Sequence, residues 1–261
     1  MKASVIVPTY NKPTALKKAL EGLCLQRRLP DEVLVADDGS TGETAALISG
    51  LGGKTPFPLV HVWHEDKGFR LAKIRNEAIK RAHGEYLIML DGDCIANRHF
   101  VSDHLALAEK GCFVQGKRIL LSPKADNFAA PDANSVLRLL RLVLSGSMSN
   151  IHRLFRIPLL PARKNSRLKG IKGCNMGFFR EDLMAVNGYN ESFVGWGRED
   201  SELGVRLFNY GIKRKEHPFM AVCFHLWHPS YPRETMEANE RLLENAIKNK
   251  LYYCPNGIVK K

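Results

Sequence analysis

The sequence predicts an α/β fold, a Rossmann-like, doubly wound and mostly parallel sheet with helices on both faces, and three observations carry that expectation. Short β-branched or apolar runs alternate with segments of helical periodicity through the first part of the chain. The run Tyr86-Leu87-Ile88-Met89-Leu90 is apolar without alternation, as a strand covered on both faces must be. Two runs end abruptly in acidic turns, Asp37-Asp38-Gly39-Ser40 and Asp91-Gly92-Asp93, at the carboxyl ends of strands, where an open parallel sheet binds its ligands.

In order, Ala3 to Val7 reads as a β-branched strand, and the turn Pro8-Thr9-Tyr10-Asn11 leads into a helix with Pro13 near its first position. Leu16, Ala19, Leu20 and Leu23 recur at helical spacing and form its buried face. Glu32 to Ala36 is the second strand, and Ser40 with Glu43 predicts a capping box for the following helix. A Gly/Pro-rich link precedes a third strand, Leu59 to Trp63. His64 to Gly68 then loops into a helix that turns Leu71, Ile74, Ala78 and Ala82 inward. After the Asp91 strand come a helix over about Arg98 to Lys110 and a strand at Phe113 and Val114. Ser135 to Leu144 carries the helical stripe Leu137, Leu140, Leu144, whereas Ile151 to Lys169 mixes Pro, Arg and isolated apolar residues and is expected to be mobile or ordered by a partner. Regular signals return at Gly173 to Phe179, in a Gly/aromatic stretch Gly188 to Gly197, in a helix Asp200 to Tyr210, in a strand Ala221 to Leu226, and in an amphipathic helix over about Glu234 to Lys250. Residues 1–116 form an α/β part, 117–172 a basic insert, and 173–261 the rest of the same domain.

The 261 residues, 44% of them hydrophobic, suffice for one large α/β domain. No apolar run approaches the roughly 20 residues that span a bilayer, and the first residues lack a signal-peptide layout, so the chain is expected in the cytoplasm. Six cysteines without close pairs suit neither a zinc site nor a disulfide framework and are expected to be reduced. The net charge of +12 is uneven, because Ala133 to Arg180 holds ten Lys or Arg and no Asp or Glu. Such a block implies an anionic partner: phosphate, nucleic acid or an acidic membrane surface. Nucleic acid is disfavoured, since only Phe155, Phe178 and Phe179 interleave with the charges.

The Asp91-Gly92-Asp93 triplet suits a hard divalent cation, which takes oxygen ligands and bridges phosphates, while the side-chain-free Gly92 lets backbone, metal and phosphate approach closely. His225 and His228 end an apolar strand, and a His brought beside Asp93 would complete a site for Mn²⁺, which accepts imidazole more readily than Mg²⁺ does.

Four motifs in this order, Val5-Ile6-Val7-Pro8-Thr9-Tyr10-Asn11, Asp37-Asp38-Gly39-Ser40, Gly68-Phe69-Arg70-Leu71-Ala72-Lys73-Ile74-Arg75-Asn76 and Asp91-Gly92-Asp93, resemble glycosyltransferase family 2, inverting enzymes of the GT-A fold that use nucleotide-diphosphate sugars. The segment Phe193-Val194-Gly195-Trp196-Gly197-Arg198-Glu199-Asp200-Ser201-Glu202 resembles the C-terminal region of the galactosyltransferase and chondroitin-polymerase type. The resemblance implies a UDP-sugar donor, Mn²⁺ or Mg²⁺ as cofactor, and a glycan or lipid-linked acceptor such as lipopolysaccharide or capsule. It places Pro8, Thr9, Tyr10, Asn11 and Asp38 at the nucleoside, and Phe69, Arg70, Lys73, Arg75, Asn76, Asp91 and Gly92 around the nucleotide and its pyrophosphate. Asp93 with His225 or His228 would bind the metal. Asp200 would be the base and Glu199 an acceptor of sugar-hydroxyl hydrogen bonds, with Trp196, Gly197 and Asn175 at the acceptor sugar. The basic insert is then expected to meet an anionic acceptor or the inner face of a membrane. Two rivals are a nucleotidyltransferase, which would usually carry a Gly/basic phosphate loop after the first strand, absent at Pro8 to Asn11, and a basic nucleic-acid-binding protein.

Overall fold

The apolar runs form the strands of two sheets in a computed structural model of the protein, which describes residues 1–229 and 234–260. In chain order the elements are β1 (Ala3–Thr9), α1 (Pro13–Cys24), β2 (Glu32–Asp37), α2 (Gly42–Leu51), β3 (Leu59–Trp63), α3 (Leu71–Arg81), β4 (Tyr86–Leu90), β5 (Cys94–Ala96), α4 (Phe100–Leu107) and β6 (Cys112–Gln115). There follow β7 (Lys117–Leu121), α5 (Val136–Leu144), β8 (Met148–Ser149), β9 (Arg163–Asn165), β10 (Asn175–Phe179), α6 (Arg180–Ala185), α7 (Glu199–Asn209), β11 (Lys213–Glu216), β12 (Val222–His225) and α8 (Met236–Lys248).

The large sheet has the order β3-β2-β1-β4-β10-β6-β11-β9. Its first four strands are parallel, so their carboxyl ends share one edge. β10 runs antiparallel between β4 and β6, which makes the sheet mostly rather than wholly parallel. The pleat of β4 explains its unbroken apolarity. Tyr86, Ile88 and Leu90 join the core beneath α1, α2 and α4, while Leu87 and Met89 join the core beneath α3 and α7 on the other face. A smaller sheet, β5-β12-β7-β8, lies across the carboxyl end of β4 and has its own core around Ile119, Phe128 and Phe224. No helix among the described residues is long and apolar enough to cross a membrane.

The structure departs from the sequence reading at several elements. The Ser40/Glu43 capping box does not form: α2 begins after Thr41 without a side-chain cap. Ser40 is used differently, its Oγ accepting from the Asn11 amide at 2.8 Å while its own amide donates to Asp37 Oδ1 at 2.8 Å. The α4 helix is shorter than Arg98 to Lys110 because it ends at Leu107. Ile151 to Lys169 is not a segment without partners. β9 extends the large sheet by pairing with β11, and Lys164 forms an ion pair with Glu109. Arg156 donates to Oδ1 of the buried Asp103 at 3.0 and 2.7 Å, while the other carboxylate oxygen accepts from the Ala221 amide at 3.0 Å. The charge block is thus partly neutralised by acids lying elsewhere in sequence.

Removing Arg156 leaves a buried Asp103 oxygen without its donor, a loss on the order of 1–3 kcal/mol. Arg156→Ala is therefore expected to lower the urea midpoint and to open residues 145–169 to limited proteolysis before the rest of the chain. Unchanged cleavage kinetics would show that the insert is held by other contacts.

Candidate active site

Asp91, Gly92 and Asp93 turn between β4 and β5 at the carboxyl edge of the parallel strands. The Gly92 amide donates to the Pro8 carbonyl at 3.0 Å, and a Cβ at this position would lie 2.6 Å from that oxygen, so the turn needs glycine. β12 pairs antiparallel with β5, setting His225 opposite Cys94, and the Leu226 amide donates to the Asp93 carbonyl at 2.9 Å. This pairing brings both strand-end histidines to Asp93. His225 Nε2 lies 3.7 Å from Asp93 Oδ1, and His228 Nε2 lies 3.4 Å from Oδ2. Both histidines between which the sequence left the choice open thus stand beside the carboxylate.

The three residues fit a metal ion. One ligand atom from each lies within 4.8 Å of the others. Each imidazole pairs its Nδ1 with a carbonyl, His225 with Leu226 at 2.9 Å and His228 with Pro229 at 2.7 Å. A carbonyl only accepts, so Nδ1 carries a proton in each ring, and Nε2 is the atom turned to the carboxylate. A divalent ion that takes both nitrogen and oxygen ligands matches this donor set.

On the other side of the turn stands Arg75, projecting from α3 into the interior. Its Nη2 lies 3.1 Å from Asp91 Oδ1, and its Nη1 lies 3.1 Å from Asp200 Oδ1 and 3.3 Å from Glu199 Oε1. The guanidinium also sits 5.1 Å over the Tyr189 ring. One cation thus serves three carboxylates, and the surplus negative charge shows in their acidities. Burial, followed by the charge of Asp200, pushes Glu199 up to about 8 against the pull of Arg75. Asp91 is raised to about 6, mainly by burial, with Arg75 opposing. Asp200 is the more open of the pair at the start of α7: its side chain is 19% exposed against 9% for Glu199. The Gly173 backbone packs on the Asp200 carboxylate so closely that any Cβ there would collide with it.

This placement corrects three expectations. Arg75 cannot meet a pyrophosphate, because its side chain is only 1% exposed and turned onto protein carboxylates. Asn76 is buried away from the crevice, its amide donating to the Tyr189 carbonyl and to Glu191 while its Oδ1 accepts from the Tyr189 amide. Asn175 is inside the sheet, donating to the Lys117 and Ala221 carbonyls and pairing its Oδ1 with His104, so it cannot contact an acceptor sugar. Short helix or strand starts reveal that a polar residue is special; they do not reveal which way it points.

The remaining residues line the outer crevice. Asp38 bridges His64 Nε2 at 2.6 Å and the Arg70 amide at 2.8 Å, and burial raises its pKa above the ordinary carboxylate value. Gly39, at φ 93°, leaves room for Asp66, whose carboxylate accepts from the half-exposed Tyr10 hydroxyl at 2.8 Å. Asn11 accepts from the Thr41 amide and so joins the first two strand ends. Thr9 ends β1, and Arg70 and Lys73 stand at the start of α3. The Phe69 carbonyl accepts from the Gly195 amide at 3.0 Å, which draws the loop carrying Trp196 and Gly197 over this edge. Asn239 of α8 pins that loop by donating to the Val194 and Gly197 carbonyls. His64, Tyr189 and Asn239 were missed in the sequence. His64 alone had a signal, a His directly after a strand whose neighbour ends in Asp37-Asp38.

Comparison with known proteins gives the same picture. A family model described as glycosyl transferase family 2 matches residues 4–184, and one described as the N-terminal domain of galactosyltransferase matches residues 155–229. Validoxylamine A glucosyltransferase of Streptomyces hygroscopicus subsp. limoneus is 29% identical over 252 residues, covering 90% of this chain and 53% of its own length. Chondroitin synthase of Escherichia coli is 24% identical over 266 residues, covering 96% of this chain and 38% of its own. The chain therefore spans about half or less of these relatives. The crystal structure of S. aureus TarS 1-349 in complex with UDP superposes with a TM-score of 0.67 at 20% identity, over 95% of this chain and 66% of that one, which shows a shared GT-A fold. With most of its length matched by one family model and with its sheet order closing the crevice at the strand ends, the chain belongs to glycosyl transferase family 2.

Proposed function

We propose that the protein is an inverting glycosyltransferase that moves a sugar from a UDP-sugar, a galactose, N-acetylgalactosamine or gluco-isomer donor, to a hydroxyl of a surface glycan. The observation that carries this reading is the junction of Asp93, His225 and His228 with Asp200 around one strand-end crevice, linked by the Asp91–Arg75–Asp200 ion pairs. Asp200 takes the proton of the acceptor hydroxyl as its oxygen attacks the anomeric carbon, and the bond from that carbon to the diphosphate oxygen breaks on the opposite face. Arg75 holds Asp200 in place, while Glu199, protonated at neutral pH, adds no second charge. A divalent cation, Mn²⁺ or Mg²⁺, held by Asp93, His225 and His228 would supply positive charge to the departing diphosphate. Residues 1–116 then serve the donor, with Asp38, Thr9 and Tyr10 at the nucleoside, and 173–261 serve the acceptor through Asp200 and Trp196. UDP in the TarS crystal and the glycan products named for the relatives support the donor and acceptor classes.

We further infer that the chain works on the cytoplasmic side of a membrane and touches an anionic leaflet. The support is α5, which exposes Val136, Leu137, Leu140 and Leu144 beside Arg141, together with Phe155 and Leu159 from the following turns. Basic residues near an anionic surface contribute about 1 kcal/mol each. Leu140→Ser with Arg141→Ser is expected to abolish pelleting with phosphatidylglycerol vesicles, and equal pelleting of variant and parent would remove the membrane role.

Asp93→Ala is expected to weaken Mn²⁺ binding, read by paramagnetic resonance of the free ion, by about tenfold or more, and His225→Ala and His228→Ala to do the same. Retained affinity in all three variants would refute the ligand set. Asp200→Asn should lower kcat by about 10²- to 10⁴-fold with UDP affinity unchanged, and near-normal turnover would move the base elsewhere.

Glu199 makes a separate prediction about pH. Its folded value of about 8 stands above the ordinary 4.5, so its favourable contribution is complete below about 4.5 and is lost as pH rises through about 8. Glu199→Gln cannot ionise, so its Tm should match the parent's near pH 5 and exceed it at pH 9 by at least about 2 °C, the shift that about 1 kcal/mol produces in a domain of this size. A gap independent of pH would show that Glu199 is ionised throughout.

A further inference from the structure

The structure places three cations of the basic segment and its flanking strand together at the acceptor side of the crevice. Arg118 of β7 extends its guanidinium to Cys174 Sγ at 3.5 Å, and Arg153, on the turn after β8, donates from Nη1 to the Arg118 carbonyl at 2.6 Å. Lys172 precedes Gly173, whose backbone packs on the Asp200 carboxylate, and its own backbone is clamped by Gln115, whose side chain accepts from the Lys172 amide at 3.1 Å and donates to its carbonyl at 3.0 Å. Among the described residues no carboxylate lies within ion-pair distance of Arg118, Arg153 or Lys172. The acid that Arg153 senses, Glu216, is paired with Lys117 at 2.5 Å and with Arg214 at 3.3 Å. Neighbouring basic residues of the same block do find acids, Arg156 at Asp103 and Lys164 at Glu109.

Like charges gathered in a partly buried place raise the energy of the folded chain unless an anion joins them. The repulsion is visible: burial, then the charges of Arg118 and Arg153, hold Lys172 below the ordinary lysine range, and burial, then Arg118, holds Arg153 below the ordinary arginine range. The position limits what the anion is. The carbonyl of Cys174, whose thiol receives Arg118, accepts from the Asp91 amide at 3.2 Å, so the cluster adjoins the catalytic turn on the side of Asp200 and the Gly173 backbone. Two guanidinium groups favour a planar or tetrahedral oxyanion approached by paired N–H donors.

We propose that Arg118, Arg153 and Lys172 form an anion subsite that receives a phosphate or carboxylate group carried by the acceptor. This deepens the glycosyltransferase reading and rests on Asp200 facing the acceptor. It assigns the acceptor to the class of acidic glycans, polyol phosphates or uronate-bearing chains, and gives the basic insert a role in acceptor choice through Arg153.

Calorimetry on the full chain saturated with UDP and Mn²⁺ tests it, with glycerol 3-phosphate and glucuronate as probes and glycerol as the neutral control. Glycerol 3-phosphate, glucuronate or both should bind the UDP-loaded protein and glycerol should not. The affinity should fall about tenfold in Arg118→Gln and Arg153→Gln, the loss expected for one charge-assisted hydrogen bond, and severalfold in the more exposed Lys172→Gln. Arg141→Gln, distant on α5, should match the parent. Binding that UDP displaces would assign the cluster to the donor diphosphate and overturn the proposal. Failure of both acids to bind, or equal affinity in Arg153→Gln, Lys172→Gln and parent, would overturn it as well. Because the readout is binding, it does not depend on whether Asp200 accepts the proton, which Asp200→Asn tests separately.

Discussion

The site depends on one buried guanidinium. Arg75 reaches from α3 to Asp91 at the end of β4 and to Glu199 and Asp200 at the start of α7, and so ties the acidic turn after β4 to the first turn of α7. Burying a charge is costly unless it is paired and hydrogen-bonded, and here the pairing exceeds neutrality. The excess is relieved by holding a proton on Glu199, the deepest of the three carboxyls, while Asp200 stands more open at the crevice. Arg75 thus orients Asp200, while burial and the charge of Asp200 hold the proton on Glu199 against its pull.

A second constraint is the small sheet laid over the end of β4. Because β5 follows the acidic turn immediately and pairs with β12, the two histidines after β12 have nowhere to lie except against Asp93. Their Nδ1 bonds to the carbonyls of Leu226 and Pro229 then set the ring nitrogens that face it. Three cysteines far apart in sequence, Cys94, Cys174 and Cys223, meet in the apolar layer directly behind this turn, where they act as small buried side chains. The metal-ligand face and the core are therefore opposite faces of the same short strands.

The basic insert divides into parts with different physical roles. Arg156 and Lys164 fasten it to α4 and the residues after it through Asp103 and Glu109, acids that also hold the Ala221 amide and Lys215. Its helix presents apolar side chains outward, and its turn brings Arg153 to the strand that carries Arg118. A charge count treats these residues as one block, whereas desolvation and pairing make some structural and leave others for ligands. With relatives at least about twice as long as this chain, such surfaces also bear on what the matched region joins in those proteins.

Periodicity and strand-end acids were enough to determine the α/β class, the parallel order of the first strands and the acidic edge, because hydrophobic alternation and turn chemistry are local properties read over a few residues. The same locality singled out Asp93, His225 and His228 as candidate ligands, whereas Asp200 and Glu199 entered through the resemblance to the family. What tertiary structure alone decided was direction and partnership. Asn76 and Asn175 resemble ligand-binding residues in sequence, yet each is consumed by backbone groups brought from distant segments, Tyr189 for one and Ala221 for the other. Arg75 became a hub rather than a phosphate contact because α7, 124 residues further on, delivers two carboxylates to it. Long-range pairing of charges in a low-dielectric interior depends on which elements the sheet order makes neighbours, and no window of the sequence contains that information.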